Sequence, residues 1–254
     1  LNEAIEMFTA RFPARHVISN ERVHEMWSVL VYLVNKREGD RRTFENTAAN
    51  LQKTKAQLIA EFDGQHPPVL DALGALWNRI LAPAGLELDV EGAKIPVQLR
   101  ENLEAYIRLR GSNQRIPYNA LSTGIRNFLF RIGHLFLLYF NRPIERGFVL
   151  IDEPENSLFP DFLFELMSVY EEILRDKHTQ LFVATHSPIV AAQFAPEERV
   201  VLEWNDDARV TASKGTAPKG DDPNDLLTRD FHISALMGPE GVRNWQAYLD
   251  LRKQ

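Results

Sequence analysis

Cysteine is absent from all 254 residues. That excludes a disulfide framework and any thiolate metal site, and it agrees with a reducing cytoplasm, the expected location. No apolar run approaches the ~20 residues needed to span a bilayer. The nearest, residues 128–140, is interrupted by Arg131 and His134, so no membrane partner is expected. Basic charge is also in deficit: 29 Lys and Arg stand against 35 Asp and Glu, a net charge of −6, which gives no global field to attract nucleic acid. Local clusters remain, Arg108 with Arg110 and Arg115, and Arg126 with Arg131 and Arg142. Each reads first as a solvated or salt-bridged face, so contact with nucleic acid stays open. There is no sustained heptad, internal repeat or low-complexity tract.

What is present is an ordinary globular composition, 44% hydrophobic and 25% charged, long enough to bury one large core or two small ones. The most informative stretch is Phe148-Val-Leu-Ile-Asp-Glu153, four apolar residues running into two adjacent carboxylates, with Pro154 next. A continuous apolar run predicts a strand buried on both faces. Its carboxylates then lie at the C-terminal mouth of the sheet, where open α/β sheets bind ligands. One acid suits a Mg²⁺ held through water, and the next suits orienting or deprotonating an attacking water. Without context the hexapeptide fits equally well a buried strand that ends in a helix-capping acid.

Two flanking segments add to it. Upstream, Leu121-Ser-Thr-Gly-Ile-Arg-Asn127 precedes the apolar stretch of residues 128–140. Ser122 is a good N-cap, Gly124 permits close approach to the backbone, and a helix N-terminus favours an anion. Downstream, Gln180-Leu-Phe-Val-Ala-Thr-His186-Ser-Pro188 reads as a second buried strand ending in a polar turn that carries a histidine.

In order and spacing these segments resemble the signature, Walker B, D-loop and H-loop of ABC-type ATPase heads. The intervening Pro154-Glu-Asn-Ser-Leu158-Phe-Pro160, of the form Glu-x-x-Leu-x-Pro, is closer to the SMC/RecF/OLD-like group than to transporter domains. Phe159 stands where that group often has His. The resemblance implies an α/β fold: an ABC-type P-loop ATPase head with a mainly parallel core sheet, a small antiparallel subsheet and a helical insertion. It implies ATP and Mg²⁺ as ligands. Asp152 would support the metal through water, with Glu153 and His186 catalytic. Ser122 and Gly124 would touch the partner's ATP in trans, and Asn156, Ser157 and Leu158 would make the D-loop contact across a dimer. It also implies a homodimer or higher oligomer of ATP-sandwiched heads, and a separate nuclease or effector chain. Septu-type and retron-associated anti-phage ATPases of bacteria are the nearest analogues. The alternatives are a RecF-like DNA-repair ATPase that binds DNA itself, a transporter nucleotide-binding domain, and a non-hydrolysing scaffold.

One expected part is missing. No Gly-x-x-x-x-Gly-Lys-Ser/Thr is found; Gly215-Thr-Ala-Pro-Lys219-Gly lacks the Ser/Thr and follows the H-loop. The chain starts at Leu1 rather than Met, so a missing front part is expected, with a degenerate ATPase as the alternative. The Q-loop glutamine has no secure place, Gln98 and Gln52 being the candidates.

Residues 1–83 are expected to be a mainly helical region or insertion, and 84–254 the ATPase lobe with its short C-terminal tail. Helices are expected over 2–12, 20–36 with Asn20 as cap, 42–62, and 68–81 with Asp71 in its first turn. Trp27 and Trp77 read as core or interface aromatics. Strands are expected over 85–90, 94–99 and 103–109, then a loop over 111–119. An amphipathic helix is expected over 162–175. A strand pair over 199–204 and 208–212 turns at Asn205-Asp-Asp207, an exposed loop spans 213–224, and a last helix covers 238–252.

Overall fold

The computed structural model describes residues 23–90, 107–112, 114–117, 120–141, 144, 146–233 and 236–252. The helix expected over 2–12, the cap at Asn20 and the strand over 94–99 lie outside those residues. So do Gln98, Arg142 and the side chain of Trp27. The chain divides into two compact units, residues 1–150 with 156–182, and residues 151–155 with 183–254.

The first unit is built around helices whose apolar residues recur at three- and four-residue steps. In α3 (Val69–Leu81), Val69, Leu70, Leu73, Leu76, Trp77, Ile80 and Leu81 are buried. Fully burying an aliphatic or aromatic side chain is worth about 1.5–3 kcal/mol, so this one face is enough to fix the helix. It packs on α4 (Thr123–Asn141) and α5 (Pro160–Leu174). Gly133 of α4 faces Met26 of α1 (Val23–Glu45) and Trp77 of α3, where a Cβ would meet their side chains at 2.7 and 2.8 Å. Arg79 ties α3 to α5 through Glu165 at 2.6 Å, Glu172 at 2.7 Å and Ser168 at 2.5 Å. His134, one of the residues interrupting the apolar run, is fully buried and edge-on to Phe130.

The helix expected across 42–62 is two helices. α1 stops at Glu45, and Asn46 and Thr47 turn their side chains back onto the carbonyls of Arg42 and Thr43, which draws the chain out of the helical path. A fresh start comes at Thr54, whose hydroxyl accepts from Gln57 N–H while Gln57 Oε1 accepts from Thr54 N–H. That capping box opens α2 (Lys55–Gln65).

After α3, Gly85 takes φ +69 and turns the chain into β1 (Leu86–Leu88). β2 (Ile107–Leu109) and β3 (Arg115–Ile116) complete an antiparallel sheet of order β1-β2-β3, with Glu87 opposite Arg108. β3 lies within the stretch expected to be a loop. Arg108 pairs with Glu87 at 2.6 Å, and Arg115 with Asp89 at 3.3 Å. Two of the three arginines of that basic cluster, Arg108 and Arg115, are therefore salt-bridged.

β4 (Arg146–Asp152) and β5 (His178–Ala184), joined through α5, form a parallel pair. Both alternate between exposed and half-buried positions along their whole length. This corrects the expectation of strands buried on both faces. Gly147, Val149 and Ile151 are half-buried, whereas Phe148 and Leu150 on the other face are 71% and 77% exposed. Among the described residues nothing covers that face beyond the Phe148 and Phe182 rings resting on each other at 6.0 Å. The architecture is α/β, with one parallel and two antiparallel sheets among the described residues.

In the second unit, α6 (Pro188–Ala191) and α7 (Pro223–Arg229) enclose a small core of Ala191, Ala192, Ala217 and Leu226, with Phe231 against it. Arg199 is buried beside it. Its Nε meets Asp230 Oδ2 at 3.1 Å, and its guanidinium donates to the carbonyls of Ala191 and Ala217. β6 (Val200–Trp204) and β7 (Val210–Lys214) form the expected hairpin, with β6 starting one residue and β7 two residues later than expected. Asn205 Oδ1 accepts from the N–H groups of Asp207 and Arg209, and Ala208 takes φ +56. α8 (Pro239–Arg252) ends the described chain with no buried residue.

Candidate active site

β4 ends where its apolar residues give way to acid. Asp152 is the last strand residue and is exposed. Glu153 leaves the strand with φ +43, a left-handed conformation that costs a non-glycine residue about 1–3 kcal/mol. Its N–H donates to the Ala184 carbonyl at 2.9 Å, so the turn stays pinned to the end of β5. The side chain then points toward the loop after β5, and His186 Nε2 lies 3.6 Å from Glu153 Oε1. That is beyond hydrogen-bond length, and it leaves two polar groups facing one space. The imidazole is 88% exposed and the Glu153 side chain 46%, so both remain open to water and to a ligand.

The loop that presents His186 is tied by Glu155, a residue outside the expected site. Glu155 Oε1 accepts from Thr185 Oγ1 at 2.6 Å, His186 N–H at 2.9 Å and Ser187 N–H at 3.2 Å. Its Oε2 is buried with no partner among the described residues. Glu155 is visible in the sequence as part of Glu-x-x-Leu-x-Pro, but its partners lie 30 to 32 residues further on. No local pattern announces them.

Ser122 and Gly124 stand at the start of α4 in the first unit. Ser122 Oγ accepts from Ile125 N–H at 3.3 Å, the expected N-cap. Gly124 is buried, and a Cβ there would fall 1.6 Å from the Ser157 carbonyl oxygen. The close approach that this glycine permits within the chain is therefore to the turn of residues 156–158. Ser157 holds φ +64 there, its hydroxyl donating to Asn156 Oδ1 at 3.0 Å, and Leu158 is half-buried.

Residues 9–191, the span that contains every one of these positions, match the model of the AAA ATPase domain. The chain belongs to that family. No curated protein matches it. Among solved structures it is similar to one described under ATP-driven dimerization and DNA-stimulated activation of SMC ATPases, at 15% identity and TM-score 0.44, covering 66% of this chain and 95% of that one. It is also similar to an SMC head bound to the C-winged helix domain of ScpA, at 14% identity and TM-score 0.41, covering 84% of this chain and 54% of that one.

An AAA ATPase domain implies a nucleotide and usually Mg²⁺. Among the described residues no group of three His, Asp or Glu is arranged to hold a metal, so a dedicated protein cage is absent there. Mg²⁺ needs no such cage. It keeps several waters and takes one or two carboxylates with substrate phosphates, and Asp152, exposed at the strand end, fits that part. Among the described residues no helix is long and apolar enough to cross a membrane.

Proposed function

We propose that this AAA ATPase chain carries the hydrolytic half of an ATP site. The observation that supports the reading is the approach of His186 to Glu153 beside the open carboxylate of Asp152. Asp152 holds Mg²⁺ through water, and the ion, when bound, neutralises phosphate charge. Glu153 orients the attacking water and takes its proton. His186, on the adjoining loop, donates to the transferred phosphoryl group or to that water. A gap of 3.6 Å is normal for such groups before substrate draws them together. Transfer to water needs little covalent chemistry, so the protein contributes position and charge.

In this reading two heads close on two ATP molecules. Ser122 and Gly124, at the positive end of α4, complete the partner's site. The turn of Asn156, Ser157 and Leu158, which packs on Gly124, carries the contact across the dimer. The helical region before residue 84 is an insertion of the head.

The proposed effector is a separate nuclease or another DNA-acting chain, and the proposed setting, by family analogy alone, is anti-phage defence in a bacterial cytoplasm. Pairing of Arg108 and Arg115 with Glu87 and Asp89 favours a partner protein over direct capture of DNA by that face. Turnover of Mg²⁺-ATP by the protein made from its whole gene tests the reading. Asp152→Asn should abolish it, and turnover that persists at the native rate in Asp152→Asn would overturn it.

A further inference from the structure

The residue between the two halves of the hydrolytic pair is Glu155, and nothing in the reaction described above calls on it. Its placement is unusual for an acid. One oxygen gathers three donors from three consecutive residues, Thr185, His186 and Ser187. The other is buried without a partner among the described residues. A carboxylate taken from water is retained only where the bonds it accepts outweigh its lost hydration, and charge-assisted bonds of this kind are the strong ones. The same turn is braced from within: Thr185 Oγ1 accepts from Ser187 N–H at 3.0 Å, and Ser187 Oγ caps α6 through Val190 N–H at 3.4 Å. On the other side Pro154 is buried, and Glu153 is tied to Ala184 by its backbone.

We propose that Glu155 is the positioning residue of this site: it fixes the turn of residues 185–187 so that His186 stands where Glu153 can meet it. Glu153 and Glu155 flank Pro154, so one short segment delivers the acid that acts on water and the acid that holds the histidine's loop. A fixed spacing between Glu153 and His186 then follows from two anchors, the Glu153 N–H on Ala184 and the Glu155 carboxylate on the next three residues. The side chain of His186 needs no packing of its own, which agrees with its 88% exposure.

The inference rests on the ATPase reading, so its test has one arm that does not use turnover. Amide exchange in the whole-gene protein should show His186 and Ser187 protected. Glu155→Ala should release His186 fully and Ser187 in part, because Ser187 N–H keeps Thr185 Oγ1 as an acceptor, while β5 keeps its protection; Glu155→Gln, which retains an acceptor, should release His186 only in part. Unchanged exchange at His186 and Ser187 in Glu155→Ala would overturn the proposal. The second arm is a double-mutant cycle in kcat. Glu155→Ala should lower kcat by about 10²-fold, the usual cost of a misplaced group, with KM little changed. In a His186→Ala background the same substitution should cost no more than about twofold, the size of an ordinary additivity error. An equal loss in both backgrounds would show that Glu155 does not act through His186. If the wild-type protein turned over no ATP, the function would fall, and the exchange arm would still decide the clamp.

Discussion

His186 Nε2 faces Glu153 Oε1 across 3.6 Å, one from the loop after β5 and the other from the turn after β4. Parallel strands place both ends on the same edge of the sheet, so the pair is a consequence of topology as well as of motif. The bond from Glu153 N–H to Ala184 carries the strand pairing one step past the sheet, and the left-handed backbone at Glu153 turns its carboxylate to that edge.

His186→Ala separates chemistry from folding. The side chain is 88% exposed, and substitutions at such positions usually change stability by no more than about 0.5 kcal/mol. The thermal midpoint should hold while turnover falls about 10²-fold or more. A variant that melts early would show that the histidine is structural.

Gly124→Ala tests the packing of the start of α4 on residues 156–158. A Cβ there would fall 1.6 Å from the Ser157 carbonyl oxygen, and backbone yields only by moving the turn. Overpacking of this kind costs about 1–3 kcal/mol, read as a lower denaturant midpoint. Gly147→Ala is the control, because nothing lies within 4 Å of a Cβ there, and it should leave the midpoint near the wild-type value.

Asp230 sets a pH dependence. Burial by itself would raise its carboxyl, but the bonds from Thr216 and Ala217 and the Arg199 charge outweigh that and hold it below its ordinary 3.8. A lowered carboxyl contributes stability that is complete above the unfolded value and is lost as pH falls through the folded one. Asp230→Asn should therefore cost most at neutral pH, about 3–5 kcal/mol through the buried Arg199 it leaves unpaired. The gap between the two proteins should narrow as pH falls through the lowered folded value. Urea midpoints from pH 2 to 7 measure this, and a pH-independent difference would contradict it.

Much of the candidate site's local structure was legible because its signals are local. The apolar run meets its acids at Asp152, where β4 ends. Ser122 caps α4, and Asn205 turns the hairpin. The motif order pointed to an ATPase head, and the AAA ATPase domain match agrees with that group. What stayed hidden depends on partners distant in sequence. Glu155 reaches Thr185, Gly124 meets Ser157, and Arg199 is buried on Asp230; no window of ten residues contains any of these pairs. The break at Asn46 was missed because its cause is side-chain bonding back onto Arg42, which apolar periodicity does not register. The exposed face of β4 was missed because the sequence of a strand does not say how many layers cover it.

The most direct test is ATP turnover and nucleotide-dependent assembly of the whole-gene protein, wild type against Glu153→Gln. Glutamine keeps the size of the side chain and removes its basicity. The account predicts turnover reduced by about 10²–10⁴-fold, with ATP-bound dimers accumulating because the hydrolysis that would release them is slowed. Hydrolysis by Glu153→Gln at the native rate would contradict it.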